Sequence, residues 1–318
     1  MSQAFTENNN SFNVSNSFNF TTVDDGPKIL AWLSPLEPQV RHQDIRTQRV
    51  HGVGDWLLET KAFRSWFNGG RKEGSGRTAL FCYGDPGVGK SYTRYECPSA
   101  RNKERMLLLT GHNGSSVVVD YLCDQARGQD MAVACFYYDF ASREEQSPTN
   151  MLGSLLKQLL SRLEAIPEEI KQEFRGQKKV IGGRGLQLPD IVKMFATILS
   201  SQRAFICVDA LDECIPKHRL EVLDALGQIL QKSPNTRMFM TGRSHIRGAV
   251  ERGLDGRVIS ASIKPRDEDI VTYLRARLGK DTTPEVMDSK LEDDIMKSIP
   301  EEVSESYVAA GDPRNHCN

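Results

Sequence analysis

A glycine-rich loop directly after a short apolar run is the feature that most constrains the fold. The run Thr78–Tyr83 predicts a buried strand, and Gly84–Ser91 (GDPGVGKS) then matches the pattern GxxxxGK[ST] in full. In such a P-loop, glycines let backbone N–H groups point at phosphate oxygens, and Lys90 reaches the terminal phosphates. The Ser91 hydroxyl binds Mg²⁺. We therefore expect a nucleotide to contact Gly84, Asp85, Gly87, Val88, Gly89, Lys90 and Ser91.

Strands and helices alternate along the rest of the chain. Further apolar runs predict strands at 131–140, 204–208, 237–241 and 257–263, with helical patterns between and after them. This alternation predicts an α/β fold, a P-loop NTPase with a mainly parallel sheet flanked by helices. The strands are almost continuously apolar, which indicates a sheet buried on both faces.

An acidic cluster follows one of these strands. Asp209 comes directly after Ala204–Val208, and Asp212 and Glu213 lie on the next turn. P-loop folds hold Mg²⁺ at an acidic residue in this position, so we expect Asp209 to bind the ion, through water, together with Ser91. Asp212 and Glu213 are predicted to orient or deprotonate the attacking water. The alternative is that these two residues cap the following helix.

An arginine follows the predicted strand at 237–241. The segment Thr241-Gly242-Arg243 ends that strand, and in P-loop sheets this position faces the γ-phosphate. Arg243 is therefore predicted to sense the γ-phosphate or to stabilise charge in the transition state. A solvated surface arginine is the alternative that the sequence leaves open.

Composition excludes several classes of protein. The formal net charge is −1, so no overall field indicates nucleic acid or an anionic membrane as a partner. No apolar run approaches the roughly 20 residues that span a bilayer, and the N-terminus lacks the pattern of a secretory signal. The seven cysteines show no metal-ligand spacing and are interpreted as small core residues in a reducing compartment. We expect a cytoplasmic protein.

The ordered set of motifs resembles the fungal NACHT proteins, whose NTPase part is also described as nephrocystin-3-like. The resemblance covers roughly residues 28–303. It rests on the Trp32 segment and on five further segments in order: His51–Leu58 (HGVGDWLL), Leu80–Ser91, Cys135–Phe140 (CFYYDF), Val208–Glu213 (VDALDE) and Thr241–Arg243.

This resemblance implies a signal-transducing NTPase switch of the STAND class. Such proteins hold ADP in a closed state, exchange it for ATP on sensing a ligand, and then oligomerise through the nucleotide domain. It also implies that His51, Gly52 and Gly54 lie near the nucleotide base, whereas the alternative for His51 is a residue of a surface loop.

The chain departs from this family in two places. Residues 92–114 separate Ser91 from Ser115–Leu122, which looks like the helix that directly follows the loop in the family. Our hypothesis is that 92–114 is translated intron or a gene-model error; transcript reads crossing it continuously would count against this. The end is also unusual, because residues 304–318 replace the helical and winged-helix parts that the family would continue with.

Four segments are predicted on this basis. They are a disordered Asn/Ser/Phe-rich leader at 1–27, a helical segment at 28–75, the NTPase core at 76–263, and an incomplete helical region at 264–318. The leader has an alternative as a segment able to pair in cross-β fashion.

Two functions remain open at the sequence level. The first is a slow, Mg²⁺-dependent ATPase that acts as a regulated switch in fungal innate immunity or self/non-self recognition, with a homo-oligomer as output. The second is a nucleotide-binding or scaffold module without useful turnover. A metabolic kinase is disfavoured because no acceptor-substrate site is evident.

Overall fold

A computed structural model describes residues 25–69, 76–84, 114–178, 185–200, 202–264, 266–278, 293 and 296–298. Most of the predicted leader, the P-loop residues from Asp85 to Ser91, and nearly all of the predicted insert lie outside the described residues. The division into four segments stays a prediction.

The centre of the structure is a five-stranded sheet in the order β2-β3-β4-β1-β5, with every neighbouring pair parallel. The strands are β1 Ala79–Gly84, β2 Met131–Tyr137, β3 Arg203–Asp209, β4 Thr236–Arg243 and β5 Val258–Ser262. All five occur where apolar runs predict strands, so the α/β fold class predicted from the sequence is confirmed. The structure ends β2 at Tyr137, earlier than the apolar run suggests.

Helices cover both faces of the sheet. Those before and just after β1 are α1 Gly26–Leu33, α2 Pro38–Gln48, α3 Trp56–Glu59, α4 Lys61–Asn68 and α5, described over 114–126. The others are α6 Pro148–Leu160, α7 Glu168–Lys178, α8 Leu188–Leu199, α9 Pro216–Lys232, α10 Arg247–Gly253 and α11 Asp267–Leu278. Within the described ranges, no helix has the length and apolar character needed to cross a membrane.

Alternating side chains of each strand divide between two hydrophobic clusters, because successive residues of a strand point to opposite faces. In β1, Phe81 packs into the cluster with α1, α6, α8, α9 and α10, whereas Leu80 and Cys82 pack into the cluster with α2 to α5. Both faces are thus covered, as expected for strands that are apolar at almost every position.

Local signals explain where the helix after β2 begins. Ser147 accepts a hydrogen bond from the backbone N–H of Asn150, and Pro148 occupies the first helical position of α6. A serine cap followed by proline at the first helical position is a local pattern that favours a helix start. By contrast, α7 is mostly polar and α10 has only 7 residues, so neither shows a strong apolar period.

Candidate functional site

The candidate site lies at the carboxyl edge of the sheet, where β1, β4 and β3 end side by side. Strand β4 separates the other two, with Gly84 of β1 opposite Arg243 and Val208 of β3 opposite Met240. Since neighbouring strands lie about 4.8 Å apart, β1 and β3 are roughly 10 Å apart at this edge. The strand that leads into the P-loop motif and the strand that ends in Asp209 therefore finish on either side of β4.

Asp209 is a buried carboxylate bonded by two hydroxyl groups. Only 4% of the residue is exposed. Its Oδ1 accepts a hydrogen bond of 2.5 Å from the Thr241 hydroxyl and a second one from the hydroxyl of Ser115, which is 2% exposed. Charged acceptors make the stronger hydrogen bonds, so these contacts fix the carboxylate at the end of β3.

The backbone after Asp209 turns sharply. Ala210 has φ of 53°, in the left-handed region that non-glycine residues seldom adopt. Its N–H donates to the Thr241 hydroxyl at 3.0 Å. Thr241 thus donates to the carboxylate and accepts from the next backbone N–H, which holds the turn in a conformation that would otherwise be unfavourable.

The acidic residues of the turn contact an arginine and a backbone amide. Asp212 Oδ2 and Arg243 Nε form an ion pair at 2.9 Å, with side chains 5% and 24% exposed. Glu213 accepts from the backbone N–H of Phe140 at 3.1 Å. Helix α9 starts from Ile215 without a side-chain cap hydrogen bond. The Arg243 side chain is not freely solvated.

In the loop predicted to contact the base, two glycines adopt a left-handed backbone conformation that favours glycine. Gly52 and Gly54 have φ of 82° and 91°. The N–H of Gly54 donates to Asp269 of α11 at 2.9 Å, which ties this loop to the helix beyond the sheet. His51 is exposed, as the surface-loop alternative expects. Its role near a base stays a prediction.

A second polar cluster connects α2, α5 and β2 beside the same edge. His42 contacts the Tyr137 hydroxyl at 2.8 Å and Asp120 at 3.3 Å, and Arg49 lies 2.8 Å from Asp120. Burial would raise the pKa of the Asp120 carboxyl, but the hydrogen bond to His42 and the charge of Arg49 lower it below its ordinary value. Burial raises the pKa of Tyr137 well above its usual range. Tyr137 lies opposite Asp209 in the sheet, so this cluster adjoins the candidate site.

The cysteines in the strands are core residues, as expected from the sequence. Cys82, Cys135 and Cys207 are free and buried. Burial raises the pKa of Cys82 and of Cys135 to about 12, so both remain neutral thiols at ordinary pH. They contribute packing to the face of the sheet that carries α5.

The donor set around Asp209 suits a hard cation. Within the described ranges, no group of three or more His, Cys, Asp or Glu side chains could hold a metal ion. Magnesium does not need such a group, because it takes one or two carboxylates with waters and substrate phosphates. Asp209 supplies one such carboxylate, and the hydroxyl oxygens of Ser115 and Thr241 lie beside it.

Sequence reasoning selected Asp209, Asp212, Glu213 and Arg243, and all four are near neighbours at this edge. It missed three residues that contact them: Ser115, Thr241 and Phe140. Thr241 was the residue most open to prediction, because it lies in the segment before Arg243. The signal for Ser115 is its position at the start of Ser115–Leu122, the segment that resembles the helix directly after the phosphate loop in the family.

Comparison with protein families identifies one match. Residues 93–243, just under half of the chain, match the family described as Nephrocystin 3, N-terminal. The matched range starts just after the P-loop motif and includes β2, β3 and β4 with Asp209 and Arg243. A comparison with curated proteins found no match.

Three solved structures are similar in outline. The Walker-type ATPase of Pyrococcus abyssi has 16% identity and a TM-score of 0.42, over 83% of this chain and 70% of that chain. The ORC1 protein of Aeropyrum pernix, in complex with DNA, has 15% identity and a TM-score of 0.41, over 82% and 55%. Cdc6p from Pyrobaculum aerophilum has 16% identity and a TM-score of 0.39, over 81% and 54%. The chain spans little more than half the length of the last two.

Proposed function

We propose that the chain is a nucleotide-binding P-loop NTPase of the NACHT type that binds ATP or ADP with Mg²⁺ at the carboxyl edge of the sheet. The observation that carries the proposal is the position of Asp209. It is a buried carboxylate at the end of β3, one strand removed from the strand that leads into Gly84–Ser91. A phosphate-binding loop and a magnesium-binding acid on two such strands can act on the same terminal phosphates.

The other residues then have distinct roles. The P-loop amides and Lys90 hold the phosphates, and Asp209 holds the ion. Asp212 and Glu213 orient water, and Arg243 responds to the γ-phosphate. The position of Arg243 supports this role, because Arg243 ends β4, the strand between β1 and β3. The magnesium ion, when bound, neutralises phosphate charge. The chain's own residues hold the ion and the phosphates in position.

Equilibrium binding of fluorescent ATP and ADP analogues to the full chain, with and without Mg²⁺, tests this proposal. Asp209→Asn keeps the shape of the side chain but removes its charge, so it should weaken Mg²⁺-dependent binding by about 10- to 100-fold. Asp224→Asn, on the exposed side of α9, is the matched control and should bind as the wild type does. Equal affinity in wild type and Lys90→Ala would contradict the proposal.

The proposed biological role is a switch, as in the fungal NACHT proteins that the sequence resembles. ADP would hold the closed state, and ATP would favour association of chains through the nucleotide domain in innate immunity or self/non-self recognition. Light scattering of the full chain with ADP and with a non-hydrolysable ATP analogue tests this. The same mass with both nucleotides would exclude nucleotide-driven association.

The second candidate is a nucleotide-binding or scaffold module without turnover, and one observation favours it. The groups expected to do chemistry contact other protein groups: Arg243 pairs with Asp212, and Glu213 accepts from the Phe140 N–H. Phosphate release by the wild type beside Asp209→Ala separates the two candidates. Binding without release above the Asp209→Ala background would favour the module.

A further inference from the structure

The hydroxyl that meets Asp209 comes from a residue outside the P-loop motif. Ser115 belongs to α5, and its Oγ donates to Asp209 Oδ1. Both residues are almost fully buried. A P-loop site pairs an acid at the end of a strand with a serine or threonine hydroxyl, and the two share one magnesium ion.

A hydroxyl group can serve both partners at once. It has one O–H donor and two acceptor lone pairs. The Ser115 hydroxyl can therefore keep its hydrogen bond to the carboxylate while a lone pair of Oγ faces a cation. Donation to an ionised acceptor also increases the electron density on Oγ, which strengthens its interaction with a hard cation.

Thr241 is the other hydroxyl on Asp209, and its contacts give it a different role. Its Oγ1 donates to Asp209 and also accepts from the Ala210 N–H, which secures the left-handed turn. Its hydroxyl therefore links the carboxyl end of β3 to β4. Ser115 instead reaches the carboxylate from a helix that packs on the sheet through Val118, Val119 and Leu122.

We propose that Ser115, rather than Ser91, supplies the side-chain hydroxyl of the magnesium site, with Asp209 holding that hydroxyl in place. This inference rests on the proposed nucleotide-binding function. It assigns the metal-ligand role to the hydroxyl that touches Asp209 in the fold, instead of to the one that completes the sequence pattern.

The test measures the ratio of affinities for a fluorescent ATP analogue with and without Mg²⁺ in the full chain. Ser115→Ala should reduce this ratio by about 10- to 100-fold, whereas Ser91→Ala should leave it within about twofold of the wild type. Ser116→Ala, the next residue on α5 and also buried, is the matched control for loss of a helix hydroxyl. Ser115→Thr keeps a hydroxyl and should restore the wild-type ratio.

A change of metal preference separates a ligand from a structural hydroxyl. In Ser115→Cys, Mg²⁺ should no longer strengthen binding of the ATP analogue, whereas Zn²⁺ should strengthen it, because thiolates prefer softer cations. This variant also serves if Ser115→Ala does not fold, which thermal unfolding without nucleotide would reveal. An unchanged metal preference in Ser115→Cys would overturn the inference.

The outcomes distinguish the inference from the function on which it rests. If Ser91→Ala loses the Mg²⁺ effect and Ser115→Ala keeps it, the inference is wrong and the proposed function stands. If the wild type binds no nucleotide under either condition, both fail.

Discussion

The two faces of the sheet are built from different side chains. The face that packs against α1, α6, α8, α9 and α10 is mainly aliphatic, with leucine and isoleucine at half of its buried positions. The face that packs against α2 to α5 is rich in aromatic residues and cysteine, for example Trp66, Phe205 and Cys207. Arg237 and the cluster of His42, Asp120 and Tyr137 are buried or half-buried on this second face.

This difference indicates that the two faces hold their helices in different ways. The aliphatic face holds its helices mainly by burial, whose energy depends on area, although the Gln158 side chain of α6 also bonds to the Cys135 backbone. The aromatic face holds its helices through directed contacts, and one of these helices brings Ser115 to Asp209. Polar groups in a buried layer must be individually paired, so this face is the more sensitive of the two to single substitutions.

Trp66→Ala should destabilise the protein most. Trp66 is fully buried, its Nε1 donates to the Thr78 carbonyl at 3.0 Å, and its own carbonyl accepts from Arg237. It also contacts the rings of Phe63, Phe205 and Phe239 on this face. Truncation should lower the free energy of unfolding by about 3–5 kcal/mol, measured by urea denaturation. A loss below about 1 kcal/mol would remove the proposed difference between the faces.

Leu155→Ala probes the aliphatic face. Leu155 of α6 is fully buried among apolar side chains, so its truncation should lower the free energy of unfolding by about 2–5 kcal/mol. Because no directed contact is lost, the midpoint of urea denaturation should shift without a change in Mg²⁺-dependent nucleotide affinity. Leu220→Ala, at a side chain that is 64% exposed, should stay within about 0.5 kcal/mol of the wild type.

Asp120→Asn probes the polar cluster of the aromatic face. The substitution removes the charge that pairs with Arg49 and His42, and should lower the free energy of unfolding at pH 7 by about 1–3 kcal/mol.

The pH dependence follows from the lowered pKa of Asp120. A carboxyl with a lowered folded-state pKa adds stability above its unfolded-state pKa, and this stability is lost as pH falls through the folded-state value. The wild type should therefore lose its advantage over Asp120→Asn on acidification below about pH 4. A difference that stayed constant from pH 7 to pH 3 would show that Asp120 acts by packing alone.

Gly52→Ala should have the smallest effect of the four. The φ of 82° disfavours any residue with a Cβ, although no atom lies within 4 Å of the added carbon. A cost of about 1–2 kcal/mol is expected from the left-handed backbone. Gly176→Ala, in α7 with equally open space, should instead stabilise by up to about 1 kcal/mol. If both substitutions destabilise the protein, the added carbon meets other atoms at these sites, and the effect does not come from backbone conformation.

Sequence patterns were informative wherever structure depends on near neighbours. The strands β1, β3 and β4 and the Ser147 cap of α6 follow from runs of apolar residues and from one serine before a proline. The patterns were poorer for α7, whose residues are mostly polar, because its two buried apolar side chains, Ile170 and Phe174, give only a weak period. Such a helix is stabilised by the residues it packs against rather than by its own sequence.

The α/β class and a set of chemically suited residues could be predicted from the sequence, because strand runs, turns and caps depend on residues close together in the chain. Which of those residues meet depends on the tertiary fold. Ser115 and Asp209 are 94 residues apart, and Thr241 lies a further strand away. Their contact follows from the order of strands β3 and β4 and from the packing of α5 on the sheet. Such long-range pairings arise from burial of whole faces, which a local pattern does not encode.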